Sequence, residues 1–145
     1  MHYVEILSDF STSHFLESEY IHGHNFKINA KFYGNLDKGG MLIDFYKAKD
    51  ALDKICAQFD HKVMLPLSAE NGKDNATTAT NKISVQEKNY EISNDDIVFI
   101  PIRATTAEYV AEHITNQLKE KFKTQNLKIS VELEENYDSS ATFFE

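Results

Sequence analysis

Alternation of apolar and polar positions dominates the first part of the chain and predicts two long strands. Between residues 22 and 33, an apolar residue occupies every second position from Phe26 to Phe32, with lysine or asparagine in between. This is the period-2 pattern of a half-buried strand. Residues 2–14 repeat it more weakly, and the turn-rich stretch 35–40 ends the second strand. We expect the two strands to pair as an antiparallel hairpin.

Helical spacing predicts two helices further along. Asp44 is a suitable N-cap for a helix to about Gln58, because its carboxylate can accept free N–H groups of the first turn. Apolar residues recur there on one stripe. A second stripe predicts a helix from near Thr105 to about Phe122, and Thr105 with Glu108 fits a capping box.

The remaining segments are shorter. Residues 67–81 are polar and of low complexity, which predicts a flexible loop. ISVQEKNYEIS predicts a short hairpin that turns around Lys88-Asn89, and residues 97–102 form a brief apolar strand or extended segment. KISVELEEN and SSATFFE predict a final strand pair.

The order of these elements predicts an α+β fold, in which helices cover one face of an antiparallel sheet. We expect residues 1–145 to form one domain, with an inserted loop and hairpin at about 67–96.

Composition limits the function classes. The formal charge of −8 argues against a broad nucleic-acid surface, which needs basic residues to displace counterions. The sequence shows neither a transmembrane stretch nor a secretory signal, and a single cysteine allows no intrachain disulfide. These features predict a soluble, cytoplasmic protein without nucleic-acid or membrane partners.

Three histidines stand out as candidate metal ligands. His22 and His24 are two residues apart on the second predicted strand, so they project from the same face. His14 can lie opposite them if the first two strands pair. Three imidazoles that leave one coordination position open suit a catalytic Zn²⁺ site. The alternative is that these are ordinary histidines of a strand, since spacing alone does not require a metal.

Six segments, in order, resemble the 6-pyruvoyl-tetrahydropterin synthase / 6-carboxytetrahydropterin synthase family: FSTSH, HGHNFKINAKFYG, GGMLIDF, FDHKVML, TTAEYVA and VELEEN. The resemblance implies the T-fold (tunnelling fold), an antiparallel four-stranded sheet with two helices on one face. It also implies a homohexamer, built as a dimer of trimers, with active sites at subunit interfaces. The substrate class it implies is a small pterin triphosphate.

The resemblance implies roles for matching positions. His14, His22 and His24 correspond to the zinc ligands, and Asp60 with His61 corresponds to a catalytic relay. A helix-end pair, in which the cation suits the helix dipole, is the structural alternative for Asp60 and His61.

Three further positions correspond to substrate contacts. Glu135 matches the carboxylate that grips the pterin ring, and it is preferred to Glu134 because it shares parity with the apolar residues of its strand. Thr106 and Glu108 match the family's Thr-Thr-Glu segment. For Glu108, helix capping and substrate contact are equally good interpretations.

One departure changes the expected reaction. The family's synthases carry a catalytic cysteine shortly before HGH, whereas this chain has LESEYIHGH, and its only cysteine, Cys56, lies in a predicted helix stripe. A subset of the family has a glutamate there instead. Glu19 is the candidate and Glu17 its rival.

Such glutamate proteins resemble zinc enzymes that convert 7,8-dihydroneopterin triphosphate to 6-hydroxymethyl-7,8-dihydropterin. In that reaction Glu19 and His61 would share the base and acid roles, in an order that the sequence leaves open. The alternatives are a 6-pyruvoyl- or 6-carboxytetrahydropterin synthase that uses glutamate, and a zinc-containing T-fold that binds a pterin or purine without turnover.

Overall fold

The computed structural model describes residues 1–69 and 79–144. Within these ranges two α-helices, two short 3₁₀ helices and eight strands are present. The α-helices are α1 (Phe45–Ala57) and α2 (Ala107–Lys121). The strands are β1 (His2–His14), β2 (His22–Gly34), β3 (Lys62–Pro66), β4 (Thr80–Val85), β5 (Lys88–Ser93), β6 (Ile97–Ile100), β7 (Lys128–Asn136) and β8 (Ser139–Phe143).

Six of these strands form one sheet in the order β6-β3-β1-β2-β7-β8. The four predicted strands β1, β2, β7 and β8 pair antiparallel with one another. The prediction of a four-stranded sheet is nevertheless wrong in number, because β3 and β6 extend the described sheet with parallel pairing. Short strands in parallel pairing lack the alternation of apolar and polar residues. The segment KVMLP, which forms β3, was therefore not predicted as a strand. The α+β class is confirmed.

The long hairpin of β1 and β2 keeps one register from His2↔Gly34 to His14↔His22. Even-numbered residues of both strands point to the face that is covered by the helices. Phe10 lies opposite Phe26, and their ring centroids are 5.2 Å apart. The register therefore places His14 directly opposite His22, on the same face as the core.

The two helices begin at side-chain caps and pack on this face. The Asp44 carboxylate accepts hydrogen bonds from the backbone N–H groups of Tyr46 (2.9 Å) and Lys47 (3.3 Å), as predicted. The apolar stripes of α1 and α2 pack against the inward face of the sheet and form the core with it. The buried helix residues are Ala48, Ala51, Leu52, Ile55, Cys56, Val110, Ala111, Ile114, Thr115 and Leu118.

Helix α2 begins one residue later than predicted. Its N-cap is Thr106, whose hydroxyl accepts a hydrogen bond from the Tyr109 N–H at 3.3 Å. The Thr105–Glu108 capping box is therefore wrong, since Glu108 occupies the second helical position and not the third. Thr105 is buried, and its hydroxyl donates to the carbonyl of Phe15.

The predicted hairpin is present, but its turn is displaced. Strands β4 and β5 form a separate two-stranded sheet in which Val85 pairs with Lys88, so the turn is at Gln86-Glu87. The predicted loop at 67–81 is partly corrected: Leu67–Ala69 is a 3₁₀ turn and β4 begins at Thr80. Its central part lies outside the described residues. None of the helices in the described ranges is long and apolar enough to cross a membrane.

Candidate metal and catalytic site

The side chains of His14, His22 and His24 converge at the end of the long hairpin. Their ring centroids are 4.7 Å (His14–His22), 5.2 Å (His14–His24) and 4.8 Å (His22–His24) apart. A carboxylate oxygen of Glu135 joins them, and the four potential ligand atoms all lie within 4.8 Å of one another. Strand parity predicted that His22 and His24 share a face, and the pairing of β1 with β2 brings His14 opposite His22.

Backbone carbonyls orient two of the rings. Nδ1 of His14 lies 2.7 Å from the Thr105 carbonyl oxygen, and Nδ1 of His22 lies 2.8 Å from that of Tyr20. Because a carbonyl oxygen can only accept, each Nδ1 carries the hydrogen and donates it. The unprotonated Nε2 is then available as a ligand, which is the usual arrangement behind a metal-bound histidine.

Unsatisfied buried nitrogens support a metal at this point. Nε2 of His14 and Nε2 of His24 are buried and have no hydrogen-bond partner among the described residues. Oε1 of Glu135 is 3.0 Å from the His24 nitrogen but lies outside hydrogen-bond geometry. Buried polar atoms are normally paired, so a bound cation would explain both nitrogens.

Burial also keeps His14 in the state that binds metal. It lowers the pKa of His14 below its ordinary value, against the smaller opposing effects of the hydrogen bond to Thr105 and of the Glu135 carboxylate. His14 is therefore neutral near pH 7, as a ligand must be. The donor set of three imidazoles suits Zn²⁺.

Glu135, and not its neighbour Glu134, reaches this cluster. The pairing of β7 with β8 is irregular between Glu134 and Asn136. Glu134 instead pairs with Lys27 across the sheet. The Glu135 side chain is 27 % exposed, so it remains open to a ligand while it contacts His24. Its predicted role in gripping a pterin remains a prediction.

Glu19 lies at the rim of the cluster. Its Oε2 atom is 3.9 Å from Nε2 of His22. The rival Glu17 has an exposed side chain, and its backbone carbonyl accepts a hydrogen bond from the side chain of Gln86. The geometry therefore favours Glu19 over Glu17 as the group next to a bound metal.

Asp60 and His61 form a pair that is fixed to β1. Oδ1 of Asp60 accepts from the Ser11 N–H at 2.9 Å, and the His61 N–H donates to the Ser11 carbonyl at 2.6 Å. Oδ2 of Asp60 is 3.0 Å from Nδ1 of His61. The Ser11 N–H, followed by the contact with His61, lowers the pKa of Asp60, which keeps this carboxylate ionised.

Within one chain, this pair lies outside the histidine cluster, although His61 and His24 line the same cavity. Ser11 lies three residues before His14, about 10 Å along an extended strand. His61 has a positive φ of 59° and its side chain is 83 % exposed. It is also outside the group of potential ligands among the described residues.

The two predicted substrate residues at the start of α2, Thr106 and Glu108, lie outside the histidine cluster and differ from each other in their surroundings. Thr106 caps the helix, and Glu108 is exposed in its first turn. Neither belongs to the histidine cluster. Sequence reasoning missed the carbonyls of Thr105 and Tyr20 that orient the rings, because a backbone carbonyl leaves no residue signature in a sequence.

The sheet, the helices on one of its faces and the histidine cluster have the arrangement of a T-fold pterin enzyme. Residues 3–145 match the family model described as 6-pyruvoyl tetrahydropterin synthase. The chain belongs to this family of lyases in pterin biosynthesis, as its sequence segments predicted.

Two archaeal relatives are provisionally named 6-carboxy-5,6,7,8-tetrahydropterin synthase. The Pyrococcus horikoshii protein is 32 % identical over 142 residues, covering 92 % of this chain and 83 % of that protein. The Methanocaldococcus jannaschii protein is 31 % identical over 106 residues, covering 71 % of this chain and 64 % of that protein. The match thus spans about two thirds of the second relative.

Solved structures have the same fold. The Plasmodium falciparum 6-pyruvoyl tetrahydropterin synthase matches with a TM-score of 0.85 at 24 % identity, covering 99 % of this chain and 97 % of that one. A Plasmodium vivax 6-pyruvoyltetrahydropterin synthase matches with a TM-score of 0.83 at 26 % identity, covering 100 % and 99 %. In that structure a glutamate described as a catalytic residue is replaced by alanine.

Proposed function

We propose that this chain is a zinc-dependent enzyme that cleaves the side chain of 7,8-dihydroneopterin triphosphate to give 6-hydroxymethyl-7,8-dihydropterin. The observation that carries the proposal is the position of Glu19, whose carboxylate lies 3.9 Å from Nε2 of His22. The residue thus stands beside the candidate metal, in the stretch where the family's synthases have a cysteine. A glutamate is also a catalytic residue of the P. vivax protein.

The only cysteine is poorly suited to be the missing thiolate. Cys56 is buried on the core stripe of α1, and burial raises the pKa of its thiol to about 11. At neutral pH the thiol is therefore protonated and inaccessible. A reaction that depends on a thiolate base has no suitable group in this chain.

His14, His22 and His24 would hold the zinc through Nε2. A zinc ion bound there supplies Lewis acidity, which lowers the pKa of the substrate's side-chain hydroxyls. Glu19, next to His22, is placed to act on a proton of those hydroxyls. The half-buried Glu135 can accept two hydrogen bonds from the 2-amino and N3–H edge of the pterin, with Thr106 and Glu108 as further contacts.

The proposed cleavage is balanced without another reactant. A base removes the proton of the C2′ hydroxyl, the C1′–C2′ bond breaks, and C2′ becomes the aldehyde carbon of a two-carbon triphosphate fragment. The electron pair of the broken bond passes into the dihydropterin ring. An acid then returns one proton to C1′, which becomes the hydroxymethyl carbon. Glu19 and His61, with Asp60 orienting the latter, share these proton transfers.

Assembly of copies would complete the site. In one chain His61 is exposed and lies outside the histidine cluster. We propose that the chain forms a hexamer, as a dimer of trimers, in which His61 of one subunit approaches the metal site of another. This arrangement would explain why an Asp-His pair is fixed so firmly to β1 by Ser11 and yet left open.

A second candidate function is favoured by the names of the archaeal relatives. If Glu19 serves as the base of a synthase, the chain would form 6-carboxytetrahydropterin or 6-pyruvoyl-tetrahydropterin. A third candidate is a zinc-containing T-fold that binds a pterin or purine without turning it over. The Asp60–His61 pair argues against this candidate, because binding alone does not require an acid-base pair.

The test is chromatography of pterins after incubation with 7,8-dihydroneopterin triphosphate. The wild type and Glu17→Gln should form 6-hydroxymethyl-7,8-dihydropterin, while Glu19→Gln should be slower by about 100-fold or more. Equal rates for Glu19→Gln and Glu17→Gln would reject the role of Glu19. No turnover by any variant would favour the binding protein.

A further inference from the structure

The inserted hairpin β4–β5 packs directly against the loop that carries Glu19. Its residues Ile83 and Val85 belong to a small buried cluster with Leu65 and Ile97. Phe15 and Ile21, one at each end of the segment of residues 15–21, pack against that cluster. We call this segment the 15–21 loop. The hairpin and both ends of the loop thus share one apolar cluster.

Two polar contacts hold the middle of the loop. Nε2 of Gln86, at the hairpin turn, donates to the carbonyl oxygen of Glu17 at 2.8 Å. The ammonium of Lys88 lies over the ring of Tyr20, 4.8 Å from its centroid, in cation–π geometry. These contacts join residues that are far apart in sequence and tie the loop to the insertion, in addition to the loop's own hydrogen bond from the Glu19 N–H to the Leu16 carbonyl at 2.9 Å.

The residues held in this way flank the groups that matter at the site. Glu19, between Glu17 and Tyr20, places its carboxylate 3.9 Å from Nε2 of His22. The Tyr20 carbonyl accepts from Nδ1 of His22 at 2.8 Å and so orients that ring. Movement of the loop would therefore change both the carboxylate and the orientation of a metal ligand.

The turn that presents Gln86 has an unfavourable backbone. Gln86 has a φ of 50° and Glu87 a φ of 64°, in the left-handed region that two-residue hairpin turns usually fill with Asn-Gly or Asp-Gly. Such conformations persist where the surrounding structure requires them, and they often mark functional positions. This backbone conformation directs the side-chain amide of Gln86 toward the loop, so the strained turn makes the hydrogen bond to Glu17 possible.

We propose that Gln86 and Lys88 are positioning residues that fix the 15–21 loop and thereby set the place of Glu19 beside His22. The catalytic part of this inference rests on the proposed function. The insertion then contributes to the geometry of the site through the loop that it contacts.

The test compares Gln86→Met, which keeps the length of the side chain but removes its donor, with Glu87→Gln in the same turn. Hydrogen–deuterium exchange of residues 16–21 should be about threefold faster in Gln86→Met, as expected for one lost exposed hydrogen bond. Exchange should be unchanged in Glu87→Gln. Adding Lys88→Met should accelerate the exchange further, while exchange of α1 stays the same.

Turnover of 7,8-dihydroneopterin triphosphate is the second readout. In Gln86→Met, kcat should fall by about the same factor with KM unchanged, because the substrate still binds but the base is misplaced. Gln86→Lys, which restores a donor, should recover both kcat and slow exchange.

Equal loop exchange in Gln86→Met and Glu87→Gln would overturn the inference, whatever product is formed. Faster exchange with unchanged kcat would overturn it as well, since the position of the loop would then be irrelevant to catalysis. A synthase product from the wild type would instead reject the proposed function, while loop exchange would still decide the role of Gln86.

Discussion

The Oε1 atom of Glu135 lies 3.0 Å from Nε2 of His24, the nitrogen with which His24 would bind a metal. Two roles are compatible with this contact: a fourth metal ligand, or a carboxylate that faces the pterin bound next to the metal. The three histidines would be a complete ligand set for zinc with one open position. We therefore propose that Glu135 contacts the substrate.

Glu135→Gln distinguishes these roles. The variant should keep about one zinc per chain, because the histidines remain. Its KM for 7,8-dihydroneopterin triphosphate should rise at least about tenfold, because a charge-assisted pair of hydrogen bonds to the pterin is lost. Elemental analysis and steady-state kinetics measure the two effects. Loss of zinc from the variant would make Glu135 a ligand.

His24→Ala should abolish stable metal binding. The wild type should purify with about one equivalent of zinc, and the variant should bind it at least about 100-fold more weakly, since a ligand is lost and not merely a supporting contact. His2→Ala, at the exposed start of β1, is the matched control and should retain zinc. Equal zinc contents in His24→Ala and His2→Ala would rule out this site.

Cys56→Ala should leave catalysis intact. The thiol is buried in the core, so its removal should lower the free energy of unfolding by about 1 kcal/mol without changing kcat. In the folded wild type the thiol should react slowly with a disulfide reagent, and rapidly after unfolding in urea. Loss of activity in a folded Cys56→Ala variant would contradict a glutamate base.

The pH dependence of stability provides a second check on Cys56. Burial raises the pKa of its thiol from 9.0 to about 11. The unfolded chain therefore loses this proton at lower pH than the folded chain. The stabilising contribution is complete below pH 9.0 and is lost as the pH rises toward 11, and Cys56→Ala should lack this decrease.

Asp60 has the opposite dependence. The Ser11 N–H lowers the pKa of this carboxyl below 3.8, so its ionised form favours the folded state. The contribution is present above that value and disappears as the pH falls through the lowered pKa. The difference in urea midpoint between the wild type and Asp60→Asn should therefore vanish in acid. A difference that is constant with pH would contradict the role of the charge.

Most of the fold and the centre of the candidate site could be predicted from strand parity. The long alternation of β2 specified which face is buried, and the same parity placed His22 and His24 together. The apolar stripes gave both helices, and Asp44 marked the first residue of α1 correctly. These predictions depended on local patterns that the final structure preserves.

The remaining features depended on contacts between distant segments. Strand β3 has five residues and forms only because β1 and β6 pair with it on either side. The turn at Gln86-Glu87 contains no turn-forming residue, so Asn89 was the better local signal. The choice between Thr105 and Thr106 as cap was decided by the burial of Thr105 behind His14. None of these contacts is encoded by a local pattern.

The proposed function requires that the C1′–C2′ bond of the substrate breaks. The most direct measurement is mass spectrometry of both halves of 7,8-dihydroneopterin triphosphate after one incubation with the zinc-loaded protein. We expect equal amounts of 6-hydroxymethyl-7,8-dihydropterin and a two-carbon aldehyde that still carries the triphosphate. Release of inorganic triphosphate together with a 6-pyruvoyl- or 6-carboxytetrahydropterin would contradict it.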